Sequence, residues 1–431
     1  MSVTETAKSA SGRPAPAAAQ ELALRDYTPP GKKSFGSDPA WAALRATGTE
    51  LWLDTGDLDA ARTLWTDEFS NLTTNNTLVN KEVQKGLFDD LITEAGHVLR
   101  DADSTLSAAE LVREVGFVVN CRTALRLVEA FNATVSVELH PGMADDPALS
   151  IEYGRRYYAV CPEKFIVKVP LTPGGFLAAR QLAADGIPIN YTLGFSARQN
   201  VLAAAFSRPA YVNVFMGRLN SFVADNKLGD GKNVGEKATL ASQNALLEGR
   251  ASRGWVSRQI GASLRSGDQI YALAGLDVFT MPPAAAAEYQ KRYHAGEQDV
   301  KNQLANRLEV HSSEPKVLSA LWDVDDAIYR AAEALEQAAS GGAAPLSESQ
   351  VADVVRVHVP DFFRNWTSDE LKQIEADGKI PKWDRWKDEL LGGRVALDDL
   401  LTVSALYSFV KDQTELDERI HRLLAAGGVL S

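Results

Sequence analysis

Residues 165–195 read FIVKVPLTPGGFLAARQLAADGIPINYTLGF, and this stretch decides the fold class. Its first six residues form a β-branched, apolar run that predicts a strand. An amphipathic run over 176–184 predicts a helix, and residues 188–195 predict a second strand. A strand, a helix and a strand in this order are typical of a parallel sheet with crossover helices.

The same alternation extends in both directions along the chain. Strand-like runs bounded by Gly, Pro, Asp or Asn lie at 51–54, 71–74, 135–139, 165–170, 188–195, 211–215, 259–264 and 277–281. Helical patterns lie between many of them, at 106–130, 148–158, 176–184, 197–206 and 236–255. Eight such units predict an α/β fold, a (β/α)8 TIM barrel with additional C-terminal helices.

Changes in pattern along the chain divide it into four predicted parts. Residues 1–38 begin with a Ser-, Ala- and Pro-rich stretch without periodicity and are predicted to be a disordered tail. Residues 39–283 form the predicted barrel core. Residues 284–396 are predicted to be a helical elaboration or insertion, and 397–431 a C-terminal helix that packs on the barrel.

Composition narrows the classes of function. The chain has 45% hydrophobic and 24% charged residues, a balance typical of globular proteins. Its net charge of -12 argues against a nucleic-acid partner. Its two cysteines form no CxxC pair, which indicates a reducing compartment. The sequence lacks both an apolar run long enough for a membrane span and the pattern of a signal peptide, so we predict a cytoplasmic protein.

Lys168 is the most unusual residue of the predicted strands, because apolar residues flank it closely. Such a lysine must extend to solvent, pair with an acid, or lose its charge through desolvation. A neutral lysine amine can attack a ketone to form a Schiff base. On this segment alone, a solvent-facing lysine of an edge strand is the simpler interpretation, and Lys164 is expected at the surface.

Other predicted strands also carry polar groups at positions where a barrel core would favour Val or Leu. They include Asp54, Asn75, Glu138, Asn190, Thr192, Ser263 and Arg265. Each has a structural explanation by itself, such as capping a turn. Because the ends of several strands form the active site of a barrel, their combined presence indicates a catalytic site.

Nine segments, in the same order, resemble those of transaldolases. They are LDTGD (53–57), TTN (73–75), VSVE (135–138), IVKVP (166–170), INYTL (189–193), FMGR (215–218), GASLR (261–265), ALAG (272–275) and FVKDQ (409–413). The resemblance covers 51–281 and about the last thirty residues. Two positions depart from the family pattern: Asn76 stands where the family usually has Pro, and Asn213 where serine is common.

The resemblance implies a role for each of these positions. Lys168 would form the Schiff base with a ketose phosphate, and Asp54 would take the proton of the C4 hydroxyl. Glu138 would move protons through a water held by Thr192. The remaining residues would bind substrate: Asn75 and Asn190 the dihydroxyacetone hydroxyls, and Arg218, Arg265, Ser263, Asn213 and Phe215 the phosphate end.

The resemblance also implies that neither a metal nor another cofactor takes part. It implies sugar phosphates as partners, without nucleic acid or membrane, and a homodimer is a possible assembly. The six histidines form no closely spaced pair.

Three other functions fit the sequence less well than the transfer of a dihydroxyacetone unit. Fructose 6-phosphate aldolases of the same family release free dihydroxyacetone, but they tend to carry glutamine and tyrosine at the positions of Glu138 and Phe215. A non-catalytic sugar-phosphate sensor would be expected to have lost Lys168 or Glu138, and both are present. A nucleotide-dependent dehydrogenase is excluded, because no GxGxxG motif follows a first strand.

Overall fold

A computed structural model describes residues 14–293, 299–341 and 345–430. Eight parallel strands pair in chain order and close into a barrel. They are β1 (Glu50–Asp54), β2 (Phe69–Thr73), β3 (Thr134–Glu138), β4 (Phe165–Pro170), β5 (Ile189–Thr192), β6 (Tyr211–Phe215), β7 (Arg258–Ala262) and β8 (Val278–Met281). The predicted (β/α)8 barrel is confirmed, and each predicted strand is present with ends that differ by a few residues.

Helices surround the barrel and continue beyond it. Up to β8 they are α1 (Pro14–Leu24), α2 (Pro39–Ala46), α3 (Leu58–Arg62), α4 (Asn76–Gln84), α5 (Asp89–Ala102), α6 (Ala108–Phe131), α7 (Pro147–Val160), α8 (Pro173–Ala184), α9 (Ala197–Phe206), α10 (Met216–Asp225), α11 (Val234–Arg253) and α12 (Gly267–Ala272). After β8 come α13 (Pro283–Tyr293), α14 (Pro315–Ser319), α15 (Asp326–Gly341), α16 (Glu348–His358), α17 (Ser368–Asp377), α18 (Trp383–Leu391) and α19 (Leu397–Ala426). The five predicted helices correspond to α6, α7, α8, α9 and α11. No helix of the described residues has the length and apolar character needed to cross a membrane.

The N-terminal segment differs from the predicted disordered tail of residues 1–38. Its first 13 residues lie outside the described part of the chain, but α1 follows at once, with Ala15, Ala19, Leu22 and Ala23 buried. This helix packs against α5 and α6. Alanine has the highest helix propensity, and its small side chain allows helices to approach closely. The prediction of disorder from an Ala-rich composition was therefore wrong for α1.

Large side chains fill the N-terminal half of the barrel interior. Trp52 and Ile166 are buried in a cluster with Ile260 and Val278. The Trp52 ring packs edge-on against Tyr211 at 4.8 Å between centroids. Below them, an ion pair joins the first residues of β1 and β7, Glu50 and Arg258. These side chains fill that half of the interior, and the open space lies toward the C-terminal ends of the strands.

The last helix, α19, passes the C-terminal ends of the strands, where Phe409 and Asp412 lie beside the barrel interior, and it is anchored near its start. The Arg198 guanidinium donates to Asp398 from Nε and Nη2, both at 2.8 Å, and Ser196 Oγ donates to the same carboxylate at 2.6 Å. Thr402 Oγ1 donates to the carbonyl of Leu193 at 2.9 Å. Farther along, α19 packs on α4, α5 and α6. The division at residues 283 and 396 into separate structural parts stays a prediction.

We expect Asp398→Asn to lower the free energy of unfolding by about 3–5 kcal/mol, because it leaves the buried Arg198 charge without its main partner. Asp361→Asn is the matched control, since Asp361 contacts the same guanidinium at 3.2 Å but its side chain is 29% exposed. That control should cost about 1 kcal/mol or less. Urea denaturation of both variants measures the difference, and equal losses would contradict the assigned anchor.

Candidate active site

A cavity of about 210 Å³ opens at the C-terminal ends of the barrel strands. Nine of the predicted site residues line it: Asp54, Asn75, Lys168, Asn190, Asn213, Phe215, Arg218, Ser263 and Arg265. Glu138 and Thr192 lie outside the lining. Two wider surface clefts, of about 490 and 530 Å³, contain neither Lys168 nor the strand ends. The smaller cavity is the candidate active site.

Lys168 lies in the barrel interior, in a strand whose residues are all buried. Parallel register aligns it with Glu138 on β3 and with Asn190 on β5. Its Nζ is 3.8 Å from Glu138 Oε1 and donates to the Thr74 carbonyl at 3.5 Å. A closed barrel has no edge strand, and the Lys168 side chain is 5% exposed. The interpretation of a solvent-facing edge lysine is therefore wrong.

Glu138 is held by the start of α4. Its Oε2 accepts the backbone N–H of Asn76 at 3.3 Å. The Asn76 side chain in turn donates to the Leu139 carbonyl at 3.1 Å and accepts from Asn120 at 3.1 Å. A proline at position 76 would have no N–H to offer. Burial raises the pKa of Glu138, while the Lys168 charge and the Asn76 N–H oppose that rise.

Asp54 ends β1 and is linked to two threonines that the sequence did not identify. Thr73 Oγ1 donates to Asp54 Oδ1 at 2.6 Å, and Thr280 Oγ1 lies 2.6 Å from Thr73 Oγ1. These hydroxyls join β8, β2 and β1 across the interior. Burial raises the pKa of Asp54, and the positive charge of Lys168 opposes the shift. A carboxyl group with a raised pKa is suited to proton transfer near neutral pH.

Three uncharged side chains leave polar atoms free near Lys168. Asn75 Oδ1 caps α4 by accepting the Leu78 N–H at 2.9 Å, so its amide N–H groups stay available. Asn190 Nδ2 donates to Ser136 Oγ at 3.1 Å. Within the described residues, Asn190 Oδ1 and Thr192 Oγ1 are buried without a hydrogen-bond partner. Buried polar atoms of this kind usually bind water or a ligand.

The opposite side of the cavity is cationic. Arg218, near the start of α10, is buried, and its guanidinium lies over the rings of Phe215 and Phe409, 5.9 and 5.6 Å from their centroids. Its Nη1 has no hydrogen-bond partner among the described residues. Burial, helped by the charge of Arg265, lowers the pKa of Arg218 to about 10. Asp412 is the carboxylate that acts on this charge, but among the described residues none lies within ion-pair distance of the guanidinium. Such a buried cation is suited to bind an anion such as phosphate.

Asn213 and Ser263 lie next to these cations in different roles. The Asn213 amide donates to the Tyr191 carbonyl at 2.5 Å and accepts from the Gly194 N–H at 3.4 Å. One N–H of the Asn213 amide is left for a ligand. The other N–H and the amide oxygen hold the end of β5 in place. Ser263 follows β7 with a left-handed φ of 60° and lines the cavity.

Besides Thr73 and Thr280, the lining includes four polar or aromatic residues to which the sequence assigned no role: Thr77, Lys379, Phe409 and Asp412. Phe409 and Asp412 belong to the FVKDQ segment that resembles the family's C-terminal helix, and Thr77 donates to Asp412 at 2.5 Å. Lys379 lies between α17 and α18, where no sequence pattern pointed to the barrel. Among the described residues, no three His, Cys, Asp or Glu side chains converge closely enough to hold a metal ion.

An eight-stranded parallel barrel with a polar cavity at the strand ends is the architecture of a TIM-barrel enzyme. Residues 51–338 match the model of the transaldolase/fructose-6-phosphate aldolase family. The chain belongs to this family, and sugar-phosphate substrates fit it.

Individual relatives named transaldolase support a transferase enzyme. The transaldolase of Xanthomonas campestris pv. campestris (strain B100) is 32% identical over 242 residues, covering 53% of this chain and 71% of the relative. That of Protochlamydia amoebophila is 28% identical over 244 residues, covering 54% and 73%. That of Methylococcus capsulatus is 26% identical over 254 residues, covering 56% and 74%.

The buried charge of Arg218 predicts an effect on stability that does not depend on the reaction. Because folding lowers the pKa of this cation to about 10, its charged form destabilises the native state at every pH below that value. We expect Arg218→Met to raise the free energy of unfolding by about 1–3 kcal/mol in anion-free buffer at neutral pH. Arg265→Met, at an exposed side chain, should change stability little.

A second measurement tests the same substitution in the presence of inorganic phosphate. Added phosphate should stabilise the native protein through its binding free energy, and Arg218→Met should lose most of that gain. Thermal unfolding with and without phosphate measures both effects. A less stable Arg218→Met variant would show that the guanidinium supports the fold instead of a ligand.

Proposed function

We propose that this chain is a transaldolase that transfers a dihydroxyacetone unit from a ketose phosphate to an aldose phosphate through a Schiff base on Lys168. The observation that carries the proposal is the buried Lys168 ammonium, 3.8 Å from the Glu138 carboxylate, in a barrel whose cavity also presents Asp54. Fructose 6-phosphate and sedoheptulose 7-phosphate are the proposed donors. The proposed setting is the pentose phosphate pathway in the cytoplasm, and a homodimer stays a prediction.

Schiff-base formation needs a neutral amine and proton transfer at the substrate's C2 oxygen. Glu138 is the nearest carboxylate to Lys168 and can accept a proton from its ammonium, directly or through one water. The amine then adds to the C2 carbonyl, and the resulting carbinolamine loses its hydroxyl as water to give the imine. The unpartnered Thr192 hydroxyl can hold the water that moves these protons.

Cleavage of the bond between C3 and C4 follows. Asp54 takes the proton of the C4 hydroxyl, the aldehyde leaves, and the electron pair of the broken bond moves into the protonated imine to give an enamine. Asn75 and Asn190 have free amide groups for the hydroxyls of the three-carbon unit. An aldose phosphate then reacts with the enamine by the reverse steps. General acid–base catalysis of this kind typically contributes about 10²–10⁴-fold.

The substrate phosphate is proposed to bind at the cationic side of the cavity. Arg218 and Arg265 supply positive charge, and Ser263 supplies a hydroxyl. The Phe215 ring lies under the Arg218 guanidinium and limits the contact of that cation with water. A phosphate at this position would fix the sugar with its C2 carbonyl directed toward Lys168.

Release of free dihydroxyacetone, the aldolase reaction, is the competing function, because the family name covers both activities. Glu138 and Phe215 favour transfer, since the family's aldolases tend to carry glutamine and tyrosine there. The three relatives described above are all named transaldolase. A non-catalytic sensor is disfavoured because Lys168, Glu138 and Asp54 are all retained.

We expect borohydride to trap a covalent adduct on Lys168 when the protein is incubated with fructose 6-phosphate. Lys164 is the internal control, since it lies near the same strand but its Nζ donates to the Asn132 carbonyl at 2.8 Å. Peptide mass spectrometry locates the adduct. An adduct on Lys164, or none with an active donor, would rule out the proposed mechanism.

Glu138→Gln should shift the reaction from transfer toward release of dihydroxyacetone. After cleavage the three-carbon unit remains as an enamine on Lys168, and a carboxylate at position 138 is a poor proton donor to the enamine carbon. A neutral amide would hold the nearby water differently and allow more protonation and hydrolysis. The measurement is dihydroxyacetone formed per turnover of fructose 6-phosphate, with and without erythrose 4-phosphate. Cleavage at full rate by the unmodified protein without any acceptor would instead establish an aldolase.

A further inference from the structure

Lys379 reaches the candidate active site from outside the barrel. It lies in the short loop between α17 and α18, within the helical elaboration, and its side chain lines the same cavity as Arg218 and Arg265. Although the residue is exposed, no carboxylate of the described residues lies within ion-pair distance of its ammonium. Most lysines with exposed side chains extend freely into solvent, so a lysine at a cavity wall needs a separate explanation.

The loop that carries Lys379 is fixed on both sides. Before it, Ser404 Oγ of α19 donates to the Gly378 carbonyl at 2.7 Å. Gly378 has φ 76°, a conformation that favours glycine, and this turns the chain sharply out of α17. After it, Asn226 Nδ2 donates to the Pro381 carbonyl at 2.9 Å and Asn226 Oδ1 accepts the Trp383 N–H at 2.8 Å.

A second contact fixes the loop from inside the elaboration. The buried Asp377 carboxylate accepts the Lys382 N–H at 3.0 Å and the Trp386 Nε1–H at 2.8 Å. Ser404 lies one helical turn before Ser408 and Phe409, and Phe409 covers the Arg218 guanidinium. The backbone at Lys379 is therefore held next to the cationic side of the cavity.

Charge balance indicates what this lysine binds. At the lysine end of the cavity, the Lys168 ammonium faces the carboxylates of Glu138 and Asp54. At the cationic end, Arg218, Arg265 and Lys379 face one carboxylate, Asp412, which acts on Arg218. A phosphate monoester carries close to two negative charges at neutral pH. Three cations and one carboxylate have a net charge of +2, which neutralises the phosphate. The two arginines with the same carboxylate would have a net charge of only +1.

We propose that Lys379 is a specificity-determining residue that contacts the phosphate of the sugar substrate as a third cation beside Arg218 and Arg265. This inference rests on the proposed function, which supplies the identity of the sugar. The binding of phosphate itself does not depend on that function. Because the ammonium is a mobile point charge on a flexible side chain, it can follow the phosphate of donors and acceptors of different length. Lys379 takes no part in the chemistry at Lys168.

The test compares Lys379→Gln with Lys382→Gln in the full chain. Both substitutions remove one positive charge from the same loop, but Lys382 does not line the cavity, so the pair separates direct contact from a general electrostatic effect. Isothermal titration calorimetry with inorganic phosphate gives the dissociation constant. Steady-state kinetics give KM and kcat for fructose 6-phosphate with erythrose 4-phosphate, and rates for free dihydroxyacetone with D-glyceraldehyde. Circular dichroism and thermal unfolding check that both variants are folded.

We expect Lys379→Gln to raise the phosphate dissociation constant and the KM for fructose 6-phosphate by about three- to tenfold, the range for one charged contact at a partly solvated site. Its kcat, and its rate with dihydroxyacetone and D-glyceraldehyde, should stay within about twofold of the values for the unmodified protein. This is the range expected for a residue that takes no part in the chemistry. Lys382→Gln should change none of these values.

Two results would overturn the inference. One is an equal effect of both substitutions on phosphate binding, and the other is an equal loss with phosphorylated and unphosphorylated substrates. Failure of the proposed function would give a different result from failure of this inference. If the unmodified protein binds phosphate but does not convert fructose 6-phosphate, the calorimetric comparison of the two variants still decides the role of Lys379.

Discussion

The parallel register of β3, β4 and β5 is the constraint on which the site depends. It aligns Glu138, Lys168 and Asn190 on neighbouring strands, all within the barrel. Side chains alternate between the two faces of a strand, so a slip of one residue in β4 would turn Lys168 toward the surrounding helices. The buried Val167 and Val169 pack in the hydrophobic core outside the barrel and fix this register. The desolvation of Lys168 is therefore a consequence of strand pairing.

Buried arginines distinguish the parts of the molecule that hold the fold from those that bind a ligand. Arg156 is paired with Glu114, and Arg198 with Asp398, so the desolvation of each guanidinium is offset inside the protein. Arg218 is equally buried but has no carboxylate within ion-pair distance among the described residues. An uncompensated buried charge is costly, and it persists where an external partner completes it. This contrast supports a phosphate site at Arg218 more strongly than its position in a sequence motif does.

Sequence patterns predicted the barrel because each strand is a short apolar run that ends at Gly, Pro, Asp or Asn. They do not predict α1, because its Ala-rich composition resembles that of a disordered segment although its small side chains pack on α5 and α6. The contacts between Thr73 and Thr280, and between Asn76 and Glu138, join strands and helices far apart in the chain. No local pattern encodes such pairs. Lys379 was missed for the same reason, since only the tertiary fold brings its loop to the cavity.

The helices after β8 are part of the candidate active site and not an independent addition to it. Phe409 and Asp412 of α19 and Lys379 of the preceding loop line the cavity that the strands open. Asp398 ties the start of α19 to Arg198, and Asp412 accepts a hydrogen bond from Thr77 at the start of α4. The barrel supplies Lys168, Glu138 and Asp54, whereas the helices after β8 close the cationic end. Any change that loosens α19 should therefore weaken the binding of an anion before it affects the proposed chemistry at Lys168.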